Sequence, residues 1–394
     1  MIYPERFSNL PDYTFGRLRA LLDAHAPGGD DVLNMTIGEP RHAMPDFVGD
    51  IIARNLDGFG RYPAGPGTAA LLEAIAGWIA RRYGVTLDPA RQVMALNGSR
   101  EGLFGAVVAL CPERRNGARP AILIPNPFYQ VYAAGTLAVG AEPVYLPATA
   151  ATGHLPDFTA LPAATLDRTA IAWVCSPANP QGAVAGTGYW DSLLRLAEKH
   201  DFRVFADECY SEIWRDAPPP GVLEAVARTG IDPERVLMFN SLSKRSNLPG
   251  LRSGFVAGGA EAIARIKDLR AYAGAPLPGP LQEVSAAAWA DEAHVDASRE
   301  RYQQKYAIAD RVLAGVPGYV GPEAGFFLWL PVPDGEAAAL SLWRETGLRL
   351  LPGTYLGRAV AGENPATGYL RIAMVLDEAE LERGLTRLRA HLYD

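Results

Sequence analysis

One lysine, Lys244, lies in a stretch whose residue types suit covalent chemistry with an aldehyde. It follows the apolar run 235–239, Ser241 and Ser243 precede it closely, and Arg252 comes after it. A lysine that forms a Schiff base must be held in place and must lose its proton at moderate cost. Hydroxyl groups and a guanidinium suit a phosphate, which accepts paired hydrogen bonds. The stretch therefore indicates a phosphorylated aldehyde ligand, although a surface loop with ordinary cations explains it equally well when it is taken alone.

The residues around Lys244 also predict its local structure. Asn247, Pro249 and Gly250 interrupt regular structure, and the apolar run 255–257 has the character of a strand. We therefore expect Lys244 to be carried on a loop between strands and not on a long solvated helix.

Polar residues stand at the ends of three predicted strands. Asn179 follows strand 170–174, Asp207 follows strand 203–206, and Lys244 follows strand 235–239. Because ligands bind beyond the carboxyl ends of parallel strands, these three side chains are expected to face one ligand. A carboxylate there could pair with a protonated ring nitrogen, although a helix cap is the ordinary role of such an Asp.

Two neighbouring residues could complete a site for a planar, phosphorylated ring. Tyr210 lies three residues after Asp207, so a helical turn would place both on one face, and its phenol could share a ligand oxygen with Asn179. Tyr129 begins a predicted helix after strand 121–124 and could stack on the ring, although a core aromatic would be as ordinary.

The segment 97–100, Asn-Gly-Ser-Arg, joins strand 92–96 to a helix. Backbone N–H groups at such a helix start bind phosphate, which makes Ser99 and Arg100 candidates.

Arg371 stands inside an otherwise apolar strand, Gly-Tyr-Leu-Arg-Ile-Ala-Met-Val over residues 368–375. An arginine is rarely buried without a partner, so either an acidic side chain or a substrate carboxylate must meet it. We favour the carboxylate, because the guanidinium fork fits it with two parallel hydrogen bonds.

The composition excludes several classes of protein. The chain has 394 residues, a formal net charge of -7 and no basic block, which argues against a nucleic-acid binder. Its 3 cysteines form no Cys-x-x-Cys pair, so no metal site is predicted and a reducing compartment is expected. No secretory signal is visible and no apolar run is long enough to span a bilayer. We expect a cytoplasmic protein without a membrane or nucleic-acid partner.

From residue 121 onward, strands alternate with helices, which predicts an α/β fold with a mainly parallel sheet sandwiched by helices. A Pro/Gly cluster at 275–280 marks a boundary, after which a long helical region, 281–313, and three strands predict a smaller α+β domain. The predicted division is an N-terminal arm with part of the small domain (1–45), a large domain (46–275) and a C-terminal small domain (276–394).

Taken in order along nearly the full length, these motifs resemble the pyridoxal-phosphate-dependent class I aminotransferases of fold type I. The matching strings are Gly38-Glu-Pro, Tyr62-Pro, Gly98-Ser-Arg-Glu-Gly, Pro127-Phe-Tyr, Asn179-Pro, Asp207-Glu-Cys-Tyr, Ser241-Leu-Ser-Lys and Tyr369-Leu-Arg. The resemblance implies an enzyme that uses pyridoxal 5'-phosphate to move an amino group from an amino acid to a 2-oxo acid.

The resemblance also implies a role for each site residue. Lys244 would bond to the cofactor and shuttle the substrate proton, and Asp207 would pair with the ring nitrogen. Tyr210 and Asn179 would contact the ring oxygen, and Tyr129 would stack on the ring. The implied phosphate ligands are Ser99, Arg100, Ser241, Ser243 and Arg252. Arg371, with Gly38 and Asn179, would hold the substrate carboxylate. Tyr62 would reach the phosphate of a neighbouring subunit, which implies a homodimer with shared active sites.

Within the family, the chain is most similar to the branch of N-succinyldiaminopimelate aminotransferases, in the strings 126–132, 207–213, 241–258 and 291–295. It departs from that branch at Gln181, where threonine is usual, at Phe327, where tyrosine is common, and in the loop 271–278. A broader aminotransferase for aspartate, alanine or aromatic amino acids is therefore the alternative. A carbon–sulfur lyase on the same scaffold, and a ligand-binding regulator without catalysis, are weaker alternatives.

A long substrate needs a cation for its second carboxylate. Arg17, Arg41 and Arg100 are candidates because they lie near the motif loops, and a solvated surface position is the ordinary alternative for each.

Overall fold

A computed structural model describes residues 4–29 and 31–394. Residues 1–3 and 30, which belong to the predicted N-terminal arm, lie outside the described part. The strands are β1 (Leu33–Asn34), β2 (Val93–Leu96), β3 (Ala121–Asn126), β4 (Glu142–Pro147), β5 (Thr169–Cys175), β6 (Arg203–Asp207), β7 (Val236–Ser241), β8 (Gly254–Gly258), β9 (Phe327–Pro331), β10 (Leu348–Arg349), β11 (Leu351–Pro352) and β12 (Tyr369–Ala373).

Helices alternate with these strands through the middle of the chain. They are α1 (Thr14–Leu22), α2 (Phe47–Arg54), α3 (Ala69–Tyr83), α4 (Pro89–Gln92), α5 (Ser99–Leu110), α6 (Gln130–Ala138), α7 (Ala163–Asp167), α8 (Thr187–His200), α9 (Val222–Thr229), α10 (Leu242–Arg245), α11 (Ala260–Ala273), α12 (Gly279–Ala290), α13 (Ala293–Val312), α14 (Gly335–Thr346) and α15 (Glu378–Leu392).

Seven strands form the central sheet in the order β2-β8-β7-β6-β5-β3-β4. The pairs from β7 to β4 are parallel, and only β8 runs opposite to its neighbours. Every residue of β3 and β5 is buried, as expected for strands covered by helices on both faces. The predicted α/β class with a mainly parallel sheet is confirmed.

Apolar helix faces cover both sides of this sheet. Trp78 of α3, Trp190 of α8 and Trp289 of α12 belong to the core on one side. Leu103 of α5 and Ile263 of α11 belong to the core on the other side. Because α12 packs against α3, its apolar residues belong to the core of the large sheet. The division at residue 275 stays a prediction, and the packing of α12 favours a later boundary.

The C-terminal part forms a smaller layer of strands and helices. Strands β11, β12 and β9 form an antiparallel sheet, and most buried residues of β9 and β12 share one core with α13 and α15. The short strand β1 pairs with β10 in parallel, so the N-terminal segment joins this layer. The helical region predicted over 281–313 is two helices, α12 and α13, separated by Asp291 and Glu292.

Thr68 caps the start of α3, where its side chain accepts a hydrogen bond from Leu71 N at 3.3 Å. Asp46 precedes α2, but its side chain makes no capping hydrogen bond. Across residues 4–29 and 31–394, no helix has both the length and the apolar character needed to cross a membrane.

Candidate active site

The carboxyl ends of the parallel strands open into a cavity of about 280 Å³. Because β8 is antiparallel, its start lies at the same edge, and this brings Arg252, two residues before the strand, into the cavity. The predicted site residues that line the cavity are Gly38, Ser99, Arg100, Tyr129, Asn179, Asp207, Tyr210, Ser241, Ser243, Lys244, Arg252 and Arg371. Tyr62 is not among the lining residues, and its side chain is fully exposed on this chain.

Lys244 lies on the short helical turn α10, so the prediction of a loop is wrong in this detail. Its Nζ donates a hydrogen bond to the carbonyl oxygen of Gly38 and lies 5.5 Å from the centre of the Phe326 ring. Burial lowers the pKa of Lys244 to about 8, and the positive charges of Arg371 and Arg252 act in the same direction. A lysine whose pKa is close to neutral pH is partly uncharged there, so it can act as a nucleophile and a base. An exposed lysine is almost fully protonated at the same pH.

The lowered pKa of Lys244 predicts a pH dependence for the capture of an aldehyde by the free protein. Only the neutral amine attacks, so the rate of capture is expected to rise with pH and to level off above about pH 8. The measurement is the initial rate of pyridoxal phosphate binding by ligand-free protein from pH 6 to pH 11. A rate that still rises steeply at pH 10 would show that Lys244 titrates like an exposed lysine.

Asp207 is a buried carboxylate at the end of β6, and only 5% of its surface is exposed. Its Oδ2 accepts a hydrogen bond from the Tyr132 hydroxyl at 2.7 Å, and its Oδ1 accepts one from the Cys209 backbone N–H at 3.3 Å. Burial raises the pKa of Asp207, and these donors oppose that effect. Such a carboxylate is well placed to pair with a cationic ring N–H.

The turn after Asp207 differs from the helical turn that was predicted. Residues 209–212 form hydrogen-bonded turns, with Ser211 N donating to Glu208 O at 3.0 Å and Ile213 N donating to Tyr210 O at 3.0 Å. The Tyr210 hydroxyl still reaches the cavity, where it accepts a hydrogen bond from Asn179 Nδ2 at 3.4 Å.

One end of the cavity is built to hold an anion. The first residues of α5, Ser99 and Arg100, present N–H groups at a helix start, and Ser241, Ser243 and Arg252 line the same cavity. Hydroxyl, guanidinium and helix N–H donors together are the donor set that a phosphate requires.

The other end of the cavity holds Arg371, whose exposed fraction is 5%. Its Nη1 donates to Asn179 Oδ1 at 3.2 Å and its Nη2 donates to the Thr36 carbonyl at 2.6 Å, while its buried Nε has no hydrogen-bond partner. Among residues 4–29 and 31–394, no carboxylate lies within 4.0 Å of its guanidinium. Burial without an opposite charge lowers its pKa to about 10. A buried guanidinium without an anionic partner can bind the carboxylate of a ligand that enters the cavity.

Comparison with known proteins assigns this arrangement to a family. The family description "Aminotransferase class I and II" matches residues 30–388. The chain belongs to the class I and II aminotransferases. It is 34% identical to the LL-diaminopimelate aminotransferase of Desulforudis audaxviator, over 98% of this chain and 97% of that protein.

Solved structures agree with the family. An aminotransferase from Neisseria meningitidis has a TM-score of 0.93 and 38% identity, over 98% of this chain and 99% of that chain. A probable N-succinyldiaminopimelate aminotransferase from Thermus thermophilus has a TM-score of 0.84 and 27% identity, over 96% of this chain and 100% of that chain. The fold of this aminotransferase is therefore fold type I, as the motifs predicted, and its cofactor is pyridoxal 5'-phosphate.

A close contact between Arg252 and the backbone of Gly98 supports the binding of this cofactor in the cavity. Gly98 has a φ of +81°, and a Cβ at this position would lie 2.3 Å from Arg252 Nη2. The guanidinium therefore lies directly over the backbone that begins α5, which forms a closed cradle of donors for the phosphate. Lys244 would hold the aldehyde carbon, and Asp207 would face the ring nitrogen. When bound, pyridoxal phosphate supplies an electron sink for the substrate carbon.

The close approach at Gly98 predicts the effect of a methyl group there. Gly98→Ala is expected to displace Arg252, to weaken cofactor binding on the order of tenfold and to lower the free energy of unfolding by about 1–3 kcal/mol. Gly105→Ala is the matched control on the same helix, because a Cβ at Gly105 meets no atom within 4 Å. Fluorescence titration with pyridoxal phosphate measures the effect, and equal affinities of the two variants would contradict this account of the cradle.

The three candidate cations for a second carboxylate differ in position. Arg100 lines the cavity, where its Nε donates to the Tyr129 hydroxyl at 2.5 Å. Arg17 lies outside the lining and pairs with Glu336 at 3.1 Å. Arg41 is exposed and does not line the cavity either. Only Arg100 of the three is therefore positioned to meet a ligand.

Several residues in or next to the cavity were not predicted to have a role in the site. Tyr132 contacts Asp207, Phe327 lies 4.4 Å from the Arg371 guanidinium, and two thiols, Cys175 and Cys209, line the cavity. The thiols are buried, as expected for ordinary core cysteines.

Proposed function

We propose that this aminotransferase exchanges an amino group between N-succinyl-L,L-diaminopimelate and 2-oxoglutarate, in two alternating half-reactions, as a step of lysine biosynthesis in the cytoplasm. The observation that carries the proposal is Arg371, a buried guanidinium without a carboxylate partner, in the same cavity as the amine of Lys244. An α-carboxylate at Arg371 would present the neighbouring carbon to the residues that handle its proton.

Two named relatives support a diaminopimelate as the substrate. The protein from Desulforudis audaxviator is named for LL-diaminopimelate, and the one from Thermus thermophilus is named as probably acting on its N-succinyl form. Both substrates present a free α-amino acid end that Arg371 could bind, and they differ at the far end, where the second α-amino group is either a free ammonium or a succinyl amide.

The lining of the cavity favours the N-succinyl form. Free diaminopimelate brings a second ammonium group, which needs an acidic partner when it leaves water. Within the described part of the chain, Asp207 is the one carboxylate in the lining, and it lies at the end of β6 where the ring nitrogen is expected. Apart from Asp207 and the cations already described, the wall is uncharged: it combines aromatic and aliphatic residues such as Phe15 and Leu356 with polar residues such as Thr14 and Gln130. A neutral amide and a terminal carboxylate that reaches Arg100 suit this wall better than an ammonium does.

A direct comparison of the two substrates tests the proposal. With 2-oxoglutarate as acceptor, kcat/KM for N-succinyl-L,L-diaminopimelate is expected to exceed that for L,L-diaminopimelate by on the order of tenfold or more. Arg100→Met keeps the backbone N–H of residue 100, and it should lower kcat/KM for the succinylated substrate more than it lowers kcat/KM for alanine. A preference of the unmodified enzyme for free diaminopimelate, or for aspartate or phenylalanine, would overturn the substrate and leave the family intact.

We further propose that the enzyme works as a homodimer with shared active sites. The support is Tyr62, which is fully exposed on the single chain beside exposed Phe59 and Leu56. Large exposed apolar groups close together are typical of interfaces. Sedimentation velocity should give the mass of two chains, and a monomer that retains full activity would contradict the proposal.

A further inference from the structure

We propose that Tyr132 is a positioning residue for the cofactor ring, because its hydroxyl holds Asp207 in place and keeps the carboxylate ionised toward the ring nitrogen. This inference rests on the proposed role of Asp207. The hydroxyl donates to Asp207 Oδ2 at 2.7 Å, and the tyrosine has no exposed surface.

The orientation of the hydroxyl is fixed by packing. The Tyr132 ring stacks on the Trp173 indole, with ring centres 4.5 Å apart and planes 14° from parallel. Trp173 belongs to β5, the strand next to β6, which ends at Asp207. Packing against β5 therefore holds the Tyr132 hydroxyl toward the end of β6. Because the hydroxyl is already ordered, no conformational entropy is lost there when a ligand binds.

The phenol remains a donor at any pH at which the enzyme works. Burial raises the pKa of Tyr132 well above its ordinary value, and the negative charge of Asp207 raises it further. The other titratable groups that act on Asp207 or Tyr132 are the thiols Cys175 and Cys209, the phenols Tyr129 and Tyr210, and Lys244. The Cys209 thiol also lies close enough to oppose protonation of Asp207, but the hydroxyl of Tyr132 is the side-chain donor that the described structure places within hydrogen-bond distance of Oδ2.

The consequence concerns the proton between Asp207 and the ring. A donor to the carboxylate lowers its affinity for a proton, so the proton stays on the ring nitrogen and the ring keeps its positive charge. Without the hydroxyl, the proton moves toward Asp207 and the ring becomes a weaker electron sink. A less positive ring also makes the nitrogen joined to Lys244 more basic.

The test is Tyr132→Phe in the enzyme with bound pyridoxal phosphate. The midpoint of the pH titration of the cofactor absorbance is expected to move upward by on the order of one pH unit, with kcat lower by about tenfold and KM for the amino acid nearly unchanged. Thermal unfolding is recorded for each variant, so that loss of folding is seen separately.

The chain offers a closely matched control. Tyr83 is also buried and donates to a buried carboxylate, Glu208 Oε2, at 2.8 Å, but neither residue lines the cavity. Tyr83→Phe removes the same kind of hydrogen bond and should leave the titration midpoint where it is. If both variants titrate like the unmodified enzyme, the positioning role of Tyr132 is wrong.

A second variant decides the question if Tyr132→Phe does not fold. Tyr132→3-fluorotyrosine keeps the ring and gives a stronger donor, so the midpoint is expected to move downward, and an unchanged midpoint would overturn the proposal. A failure of the proposed function has a different signature, because the unmodified enzyme would then not exchange amino groups with the diaminopimelate substrate, whatever Tyr132 does.

Discussion

Lys244→Ala is expected to bind pyridoxal phosphate only non-covalently and to lose transamination by about 10⁴-fold or more. The amine of Lys244 is the only lysine nitrogen in the lining of the cavity formed by the described residues. Its low pKa makes it available as a base at neutral pH. No neighbouring group can replace it, since the nearby cations are guanidiniums, which do not release protons.

The measurement compares Lys244→Ala with Lys267→Ala. Lys267 lies on α11 outside the cavity, where its Nζ donates to the Ala90 carbonyl at 2.6 Å, so its loss should leave turnover unchanged. Single-turnover assays with an excess of glutamate separate binding from chemistry. An alanine variant at position 244 that turns over at the normal rate would refute the assignment of this lysine.

Arg371→Met is expected to lower kcat/KM for amino acids and 2-oxo acids by at least about 10²-fold, because two charge-assisted hydrogen bonds to the substrate carboxylate are lost. Its buried Nε is free, and the other two nitrogens contact only neutral oxygens, so the charge is available for the substrate. Replacement by methionine should not unfold the protein, since it removes a buried charge that has no ion partner in the described structure.

A substrate pair makes this prediction specific to the carboxylate. The unmodified enzyme should discriminate strongly between glutamate and its α-amide, and Arg371→Met should lose most of that discrimination. Arg215→Met serves as the control, because Arg215 pairs with Asp310 and does not line the cavity. If Arg371→Met still discriminates between acid and amide as the unmodified enzyme does, the carboxylate binds elsewhere.

Arg371 and the residues at the strand ends could be predicted because their signals are local. A single charge in an apolar strand has few explanations, and polar residues after successive parallel strands must meet at one edge of the sheet. The order of the strands was not needed for this, because β5, β6 and β7 are neighbours in the sheet as well as in the sequence.

Features that depend on distant packing could not be predicted in the same way. The helical turn α10 is held by Arg245, which is buried and pairs with Glu292 at 2.9 Å, almost 50 residues later in the chain. Helix α11 escaped prediction because one of its four buried residues is itself an arginine, Arg270, which leaves a sparse apolar pattern. The contact of Tyr132 with Asp207 joins α6 to the end of β6, and these residues are 75 positions apart, so no local spacing in the sequence predicts it.

Tyr62 shows a different limit. Its proposed role needs a second chain, and on a single chain it is simply an exposed aromatic residue. The phosphate site that Tyr62 would reach belongs to a second chain, so the position of Tyr62 on one chain cannot predict the contact. Its role stays a proposal, which the measured mass of the enzyme in solution tests.

The most direct test of the central claim is a half-reaction. The enzyme with bound pyridoxal phosphate is mixed with N-succinyl-L,L-diaminopimelate alone, and the cofactor absorbance is followed as the amino group is transferred. Glutamate, aspartate and phenylalanine are measured in parallel. The account predicts rapid transfer from the succinylated substrate and from glutamate, with slow transfer from the other two. Rapid transfer from aspartate or phenylalanine, and none from the succinylated substrate, would contradict it.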